Sequence, residues 1–309
     1  MENNQSVFNI AIAFDKNYLN PFYALLASLF DNNKDNKLEF HFIATGLSEN
    51  EYKQIEDYTK KNKAEYNFYT IDEAFVNRFV VNSTWTTAVY YRLFFPLVIS
   101  KNVKRILYID TDILVINDLK ELFLQDLGNY PVGAVYDNYV KKKSELGIIE
   151  EGNYFNSGVL LIDVESWNEQ NISDKAIKFL EEYPEKIKFV DQDALNAVLK
   201  NNWKKLDWKF NVIYTRLPYS LSKREMQLFI KDKVILHFTI QRPWLMLCRN
   251  RYRSLYFYYL KKSQVVIRKH YVDFNWTKIP AYLKIRLLEW YLDSTFVQKN
   301  WRKFKKVKK

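Results

Sequence analysis

Short apolar runs alternate with longer amphipathic stretches through the first two-thirds of this 309-residue chain. Phe8 to Phe14 (FNIAIAF) is a continuous apolar run closed by Asp15, which predicts a buried strand with a loop at its carboxyl end. A helix is predicted from Pro21 through FYALLASLFDN, followed by a strand at Leu38–Thr45, a polar helix at Ser48–Lys61 and a third strand at Ala64–Ile71. Strands alternating with helices predict βαβ units and a mostly parallel sheet. The first third therefore reads as a nucleotide-binding α/β half.

Further along, Thr86–Ile99 (TTAVYYRLFFPLVI) has helical length and leads into a strand over Arg105–Ile116 (RILYIDTDILVI) that two carboxylates interrupt. Val132–Asp137 and Tyr154–Trp167 are further strand candidates, Ser173–Glu182 and Asp191–Leu199 are helices, and Lys233–Phe238 is a last short strand. Pro280 breaks the tail, and AYLKIRLLEWYL after it has helical spacing with Leu283, Leu287, Trp290 and Tyr291 near one face. No internal repeat and no Gly/Ser linker interrupts the order.

Composition removes several classes of protein. At 48% hydrophobic and 27% charged, the chain has enough apolar residues for a large core, which excludes disorder and collagen. Cys248 is the only cysteine, so no intrachain disulfide or thiolate cluster can form, and a reducing compartment fits best. The N-terminus has no basic region ahead of its apolar run, and no stretch reaches the roughly 18 apolar residues of a spanning helix. The expectation is a protein neither integral to a membrane nor exported by a signal peptide.

Charge changes the picture more by its distribution than by its total of +11. Residues 241–309 hold eighteen Lys and Arg against three acids, Asp273, Glu289 and Asp293, together with 15 of the 53 aromatics. The rest of the chain is net acidic. A basic tail interleaved with aromatics suits an anionic interface.

The sharpest chemical signal is Asp110-Thr111-Asp112 within an apolar stretch, because two carboxylates are costly there unless a cation or hydrogen bonds compensate them. Strand alternation would put Asp110 and Asp112 on one side, where both could reach a hard divalent ion on phosphate oxygens. The plainer reading is a strand ending in a turn with Asp112 as a cap. His237 closes the apolar run VILHF and is followed by Arg242 and Trp244, which would suit a metal ligand beside a phosphate clamp. A satisfied core histidine is the alternative, and His41 and His270 take that bland reading. Asp191-Gln192-Asp193 opens a helix, where capping by one of the three is the simplest account. A turn would explain Phe155-Asn156-Ser157-Gly158.

Taken in order, IAIAFDKNY, YYRLFFP, RILYIDTDILVINDL, FNSGVLLIDVESW with DQDALN, and HFTIQRPW resemble the motifs of glycosyltransferase family 8 over approximately residues 8–245. This family comprises retaining enzymes, among them bacterial lipooligosaccharide galactosyltransferases, glucosyltransferases and glycogenins. The resemblance implies a GT-A type α/β domain over residues 1–245, with a mixed, mostly parallel central sheet, and a basic, aromatic helical extension over residues 246–309. It implies that Ala13, Asp15, Asn17 and Tyr18 hold the uracil and ribose of a UDP-sugar, Tyr18 stacking on the base. Asp110, Asp112 and His237 match the ligands of a manganese or magnesium ion on the diphosphate, with Thr111 between them at the nucleotide. Arg92 matches an arginine near the donor sugar, and Asn156, Asp191 and Gln192 match polar residues around its hydroxyls and anomeric carbon. The last motif departs from the family pattern H-x-x-G-x-x-K-P-W. The segment from His237 to Trp244 is one residue shorter, lacks the glycine, and carries Arg242 where lysine is usual, which bears on the clamp because a planar fork replaces a point charge.

The implied activity is transfer of glucose or galactose from UDP-glucose or UDP-galactose to a hydroxyl of a lipopolysaccharide-like glycan, with retention of configuration through front-face attack. Gln192, at the far face of the anomeric carbon, is a poor nucleophile, and Asp191 is the only nearby carboxylate with a motif-based claim. For the tail, the expectation is peripheral docking on anionic lipid at the inner face of a bacterial membrane, from the cytoplasm, with Trp290, Trp301 and Phe304 inserting and Lys305, Lys306, Lys308 and Lys309 meeting head groups. The contrary expectation is that Leu255–Leu260 and Leu283–Leu292 pack on the core. A catalytically silent or nucleic-acid-binding module on the same fold is the functional alternative. Self-glucosylation would need an acceptor tyrosine that the 23 tyrosines do not identify.

Overall fold

The computed structural model describes residues 7–79, 86–265 and 270–294. Its strands in chain order are β1 (Val7–Asp15), β2 (Lys37–Thr45), β3 (Glu65–Phe68), β4 (Arg105–Ile109), β5 (Ile113–Val115), β6 (Val132–Tyr136), β7 (Phe155–Asp163), β8 (Lys204–Lys205), β9 (Val212–Ile213) and β10 (Ile235–His237). Seven of them form one sheet in the order β3-β2-β1-β4-β7-β6-β8, and β5-β10-β9 form a second, three-stranded sheet. In the large sheet β3, β2, β1 and β4 run parallel, β7 is antiparallel to both β4 and β6, and β8 is parallel to β6. The mostly parallel α/β sheet is the one the alternation predicts, and its mixed character is what the family resemblance implies.

β1 is buried along most of its length because helices cover both faces of the sheet, which is why its sequence is an apolar run rather than an alternation. Phe8 stacks on Phe123 with ring centroids 4.2 Å apart, and Phe14 stacks on Phe22 at 4.1 Å. The helix Leu19–Asn32 accepts Pro21 in its first turn, where a missing N–H costs nothing. It also carries the small sheet: Ser28 Oγ accepts from the Val115 N–H at 3.0 Å, and the Asn32 amide donates to the Val115 carbonyl at 3.0 Å. The helix Glu49–Lys61 starts on a capping box in which Ser48 and Glu51 satisfy each other's backbone N–H groups.

Three local expectations are corrected. Arg105–Ile116 is two strands in two sheets, because the chain turns at residues 110–112 and Ile113 pairs antiparallel with His237. Asp110 and Asp112 therefore converge through that turn and not through alternation along one strand. Thr86–Ile99 is a 3₁₀ segment, Thr87–Leu93, followed by a single helical turn, Phe95–Val98, with Pro96 in that turn. Phe155-Asn156-Ser157-Gly158 lies inside β7 and is buried, so its polar groups are spent within the sheet layer and make no turn.

The tail divides. The helix Arg253–Lys262 packs on Leu19–Asn32 with Tyr256, Tyr259 and Leu260 buried in the main core, as the contrary expectation had it for that half. In the helix Ile279–Asp293, by contrast, every side chain is at least partly exposed, and Leu283, Leu287, Leu288 and Trp290 are 52–63% exposed. Packing of Leu283–Leu292 into the core is thereby overturned. Glu289 faces inward instead and accepts both arms of Arg253 at 2.5 Å, while the exposed Asp293 pairs with Arg251 at 2.5 Å. Trp301, Phe304, Lys305, Lys306, Lys308 and Lys309 lie outside the described residues.

Candidate active site

The carboxyl end of β4 and the start of β7 meet because the two strands are antiparallel, with Ile109 opposite Val159 and the Asp110 N–H donating to the Gly158 carbonyl at 2.9 Å. At this point the strand order turns back from β1 to β4, the position where open α/β sheets bind ligands. A cleft open to solvent lies there. Ala13, Tyr18, Arg92, Asp110, Thr111, Asp112, Asn156, Asp191, Gln192, His237 and Arg242 all line it. Among the described residues the lining omits Asp15 and Asn17, whose interaction is local: the Asp15 carboxylate accepts from the Asn17 N–H at 2.7 Å and caps the turn Lys16–Tyr18.

Asp110, Asp112 and His237 each offer one atom to a common point, the three atoms lying within 4.8 Å of one another. His237 Nε2 is 3.0 Å from Asp112 Oδ1 and 3.9 Å from Asp110 Oδ2. Burial alone would raise the Asp112 carboxyl, but His237 and then Arg242 hold it below the ordinary carboxylate range. On the other ring nitrogen, His237 Nδ1 lies 2.9 Å from Asn211 Oδ1. An amide oxygen only accepts, so Nδ1 carries a proton, and Nε2 is the nitrogen directed at the carboxylates.

Arg92 is the buried cation of the site. Its guanidinium pairs with Asp110 at 2.9 Å and Asp191 at 3.0 Å and donates to the carbonyl of Ser157 at 2.5 Å. Removal from water works against its charge, yet the two aspartates keep it firmly protonated. Burial pushes the Asp191 carboxyl up to about 7, although Arg92 opposes the shift and the Ser157 hydroxyl donates to it at 2.9 Å. Asp193, not Asp191, serves the helix start: its carboxylate accepts the Lys188 and Phe189 N–H groups, each at 2.7 Å, and pairs with the buried Lys143 at 3.0 Å.

At one end of the cleft, Tyr18 sits edge-on to Trp244 with ring centroids 5.9 Å apart, under the Arg242 guanidinium at 5.7 Å. Burial raises the Tyr18 hydroxyl to about 12, so it stays protonated. Arg242 Nε is buried without a hydrogen-bond partner among the described residues, 3.8 Å from Asp112 Oδ2. At the opposite end Asn156, Gln192 and Asp137 form one hydrogen-bonded group. Sequence reasoning missed Asp137 and Asn211. Asp137 ends the apolar run VGAVYD and could have been found as a polar residue at a strand's carboxyl end, whereas nothing in WKFNVI marks Asn211. His41 and His270 are spent elsewhere, His41 between Tyr69 and Asn9 and His270 stacked on Phe257.

The fold matches that of the galactosyltransferase LgtC, solved with donor and acceptor sugar analogues, with a TM-score of 0.74 at 24% identity over 84% of this chain and 98% of that one. It also matches the glycosyltransferase GlyE of Streptococcus pneumoniae, with a TM-score of 0.61 at 21% identity over 90% and 63% of the two chains. The fold is thus the α/β fold of GT-A type. The model of the family described as "Glycosyl transferase family 8" spans residues 9–248, and the chain belongs to that family. Among its relatives, General stress protein A of Bacillus subtilis is 32% identical over 84% of this chain and 94% of its own length. A lipopolysaccharide 1,2-glucosyltransferase of Escherichia coli is 30% identical over 78% and 74%.

Proposed function

We propose that the protein is a retaining hexosyltransferase that moves glucose or galactose from a UDP-sugar to a hydroxyl of a lipopolysaccharide-like, lipid-linked glycan. The observation that carries this reading is the convergence of Asp110, Asp112 and His237 on one point of a cleft that Tyr18, Arg242, Asn156 and Gln192 also line. Two carboxylates and an imidazole suit Mn²⁺ or Mg²⁺, and the backbone of Gly158 leaves room there that a Cβ would fill. A divalent ion held by these three residues would neutralise charge on the departing diphosphate.

The remaining residues take roles their surroundings support. Tyr18 offers a ring to the uracil, with Ala13 beside it and Thr111 at the turn between the carboxylates. Arg242 brings an unspent N–H toward the diphosphate, and Arg92 fixes Asp110 and Asp191 relative to the sugar. Asp15 and Asn17 act through the turn that presents Tyr18. Gln192 Oε1 already accepts from the Asn156 amide at 3.2 Å and the Ser157 N–H at 3.1 Å, which lowers its nucleophilicity. Asp191 is bound to Arg92 and Ser157. Neither is a free nucleophile, so the reading is front-face attack, in which the departing phosphate takes the acceptor hydroxyl's proton.

In this reading residues 1–245 carry catalysis and residues 246–309 address an anionic membrane surface at the cytoplasmic face. Support comes from the Ile279–Asp293 helix, which turns the Arg253–Glu289 pair inward and leucines and a tryptophan outward. Among the described residues no helix is long and apolar enough to cross a membrane. UDP release from UDP-glucose and UDP-galactose, with and without Mn²⁺, on the parent and Asp112→Asn tests the reading. Release that needs both the ion and Asp112 supports it; no response to either nucleotide under any metal favours a silent binding module.

A further inference from the structure

Three buried side-chain amides connect His237 to Asp137 in a single sense. The His237 Nδ1–H donates to Asn211 Oδ1 at 2.9 Å, Asn211 Nδ2 donates to Asn156 Oδ1 at 2.9 Å, and Asn156 Nδ2 donates to Gln192 Oε1 and Asp137 Oδ2, each at 3.2 Å. Gln192 Nε2 then donates to Asp137 Oδ2 at 3.3 Å. Every amide shows its oxygen toward His237 and its NH₂ toward Asp137. Both ends of the chain dictate that sense. Asp137 as a carboxylate only accepts, and an imidazole that ligates through Nε2 has only its Nδ1–H left to give. Reversing any one amide would set oxygen against oxygen or NH₂ against NH₂ inside a layer where Asn211 is fully buried.

We infer that Asn211 is a positioning residue with two separable jobs, resting on the metal assignment above. Its oxygen holds the His237 ring so that Nε2 faces Asp110 and Asp112. Its NH₂ holds Asn156, and through it Gln192, in the orientation the sugar end requires. Asn211 is not among the residues that line the cleft, so it acts through His237 and Asn156 and couples the nucleotide end of the proposed site to the sugar end.

Asn211→Asp separates the two jobs, because a carboxylate still accepts from His237 but gives nothing to Asn156. Asn211→Ala removes both. Mn²⁺ affinity is read by electron paramagnetic resonance with UDP present, alongside turnover and melting temperature for the parent, both variants and Asp112→Asn. Asn211→Ala should weaken Mn²⁺ about 10–100-fold, the range for loss of a partner behind a metal-bound histidine. Asn211→Asp should keep the parent's Mn²⁺ affinity within about threefold while its turnover falls by more than about tenfold. Should the alanine variant not fold, Asn211→Ser replaces it with the same expectation. Parent-like Mn²⁺ affinity in the alanine or serine variant, or equal Mn²⁺ loss in the aspartate variant, overturns the inference. A parent that binds Mn²⁺ no better than Asp112→Asn overturns the metal assignment itself and this inference with it, an outcome distinguishable from failure of the amide chain alone.

Discussion

His237 and Gly158 share one close approach: a Cβ on residue 158 would stand 2.3 Å from His237 Cε1 and 2.7 Å from Asp110 Oδ2. Neither neighbour is a loose chain end, since the His237 ring is held at both nitrogens and Asp110 by Tyr108 and Arg92. Gly158→Ala should therefore cost about 1–3 kcal/mol of stability through overpacking and abolish metal-dependent UDP release. Urea unfolding and a Mn²⁺ titration check the two effects separately.

Arg92 lies between Asp110 and Asp191, and among the described residues no other buried cation pairs with both. Arg92→Met would leave Asp110 and Asp191 facing each other uncompensated and should lower stability by about 3–5 kcal/mol, the usual consequence of breaking a buried pair from one side. Arg92→Lys should fall between parent and Met, because a point charge cannot serve Asp110, Asp191 and Ser157 at once. Denaturant midpoints at pH 7.5 give the ranking; equal stability of all three would refute the argument.

The orphaned Arg242 Nε predicts a phosphate-specific defect. Arg242→Ala should weaken UDP by about tenfold or more, the value of a hydrogen bond to a charged group, while uridine binding stays near the parent's. Calorimetry on both ligands decides the point, and equal losses would mean that Arg242 acts only by supporting Tyr18.

His41 predicts a pH dependence of folding remote from the cleft. Burial lowers its imidazole from 6.5 to about 4, with Tyr69 and Asn9 as its polar neighbours. Between those values the unfolded chain binds a proton that the folded chain refuses, so stability rises with pH across this window. It is lost as pH falls from about 6.5 to 4, a total on the order of 3 kcal/mol. Comparing the unfolding free energy of the parent and His41→Gln at pH 7 and pH 4 isolates the effect. The variant should lose less on acidification.

The exposed leucines of the Ile279–Asp293 helix predict a surface effect without a catalytic one. Leu283→Ser with Leu287→Ser should reduce flotation on vesicles containing anionic phosphatidylglycerol severalfold and leave donor hydrolysis in solution unchanged. Equal flotation of parent and variant would remove this helix from the membrane reading.

Much of the fold was legible because buried parallel strands write themselves as apolar runs: β1, β2 and β6 fall within one or two residues of where the pattern puts them. The two-residue strands β8 and β9 were not legible, since Lys204–Lys205 and Val212–Ile213 have no periodicity to read. The break at residues 110–112 was hidden because its flanks, ILYI and ILV, are equally apolar although they belong to different sheets. In the cleft, Asp110, Asp112 and His237 stood out as charged or titratable residues against apolar neighbours. Asn211 did not, because its importance lies in what it touches across the fold and not in its local sequence.

The pairing of Ile113 with His237 across the small sheet has a consequence for how the protein is made. β5 emerges from the ribosome more than a hundred residues before its partner β10, so a nascent chain can complete much of the large sheet and expose both aspartates without a competent cleft. His237, the strand that seats it and Arg242 arrive together, late and from one segment. Under the proposed function a truncated or stalled chain lacks the complete site, so a UDP-sugar pool would stabilise only finished molecules.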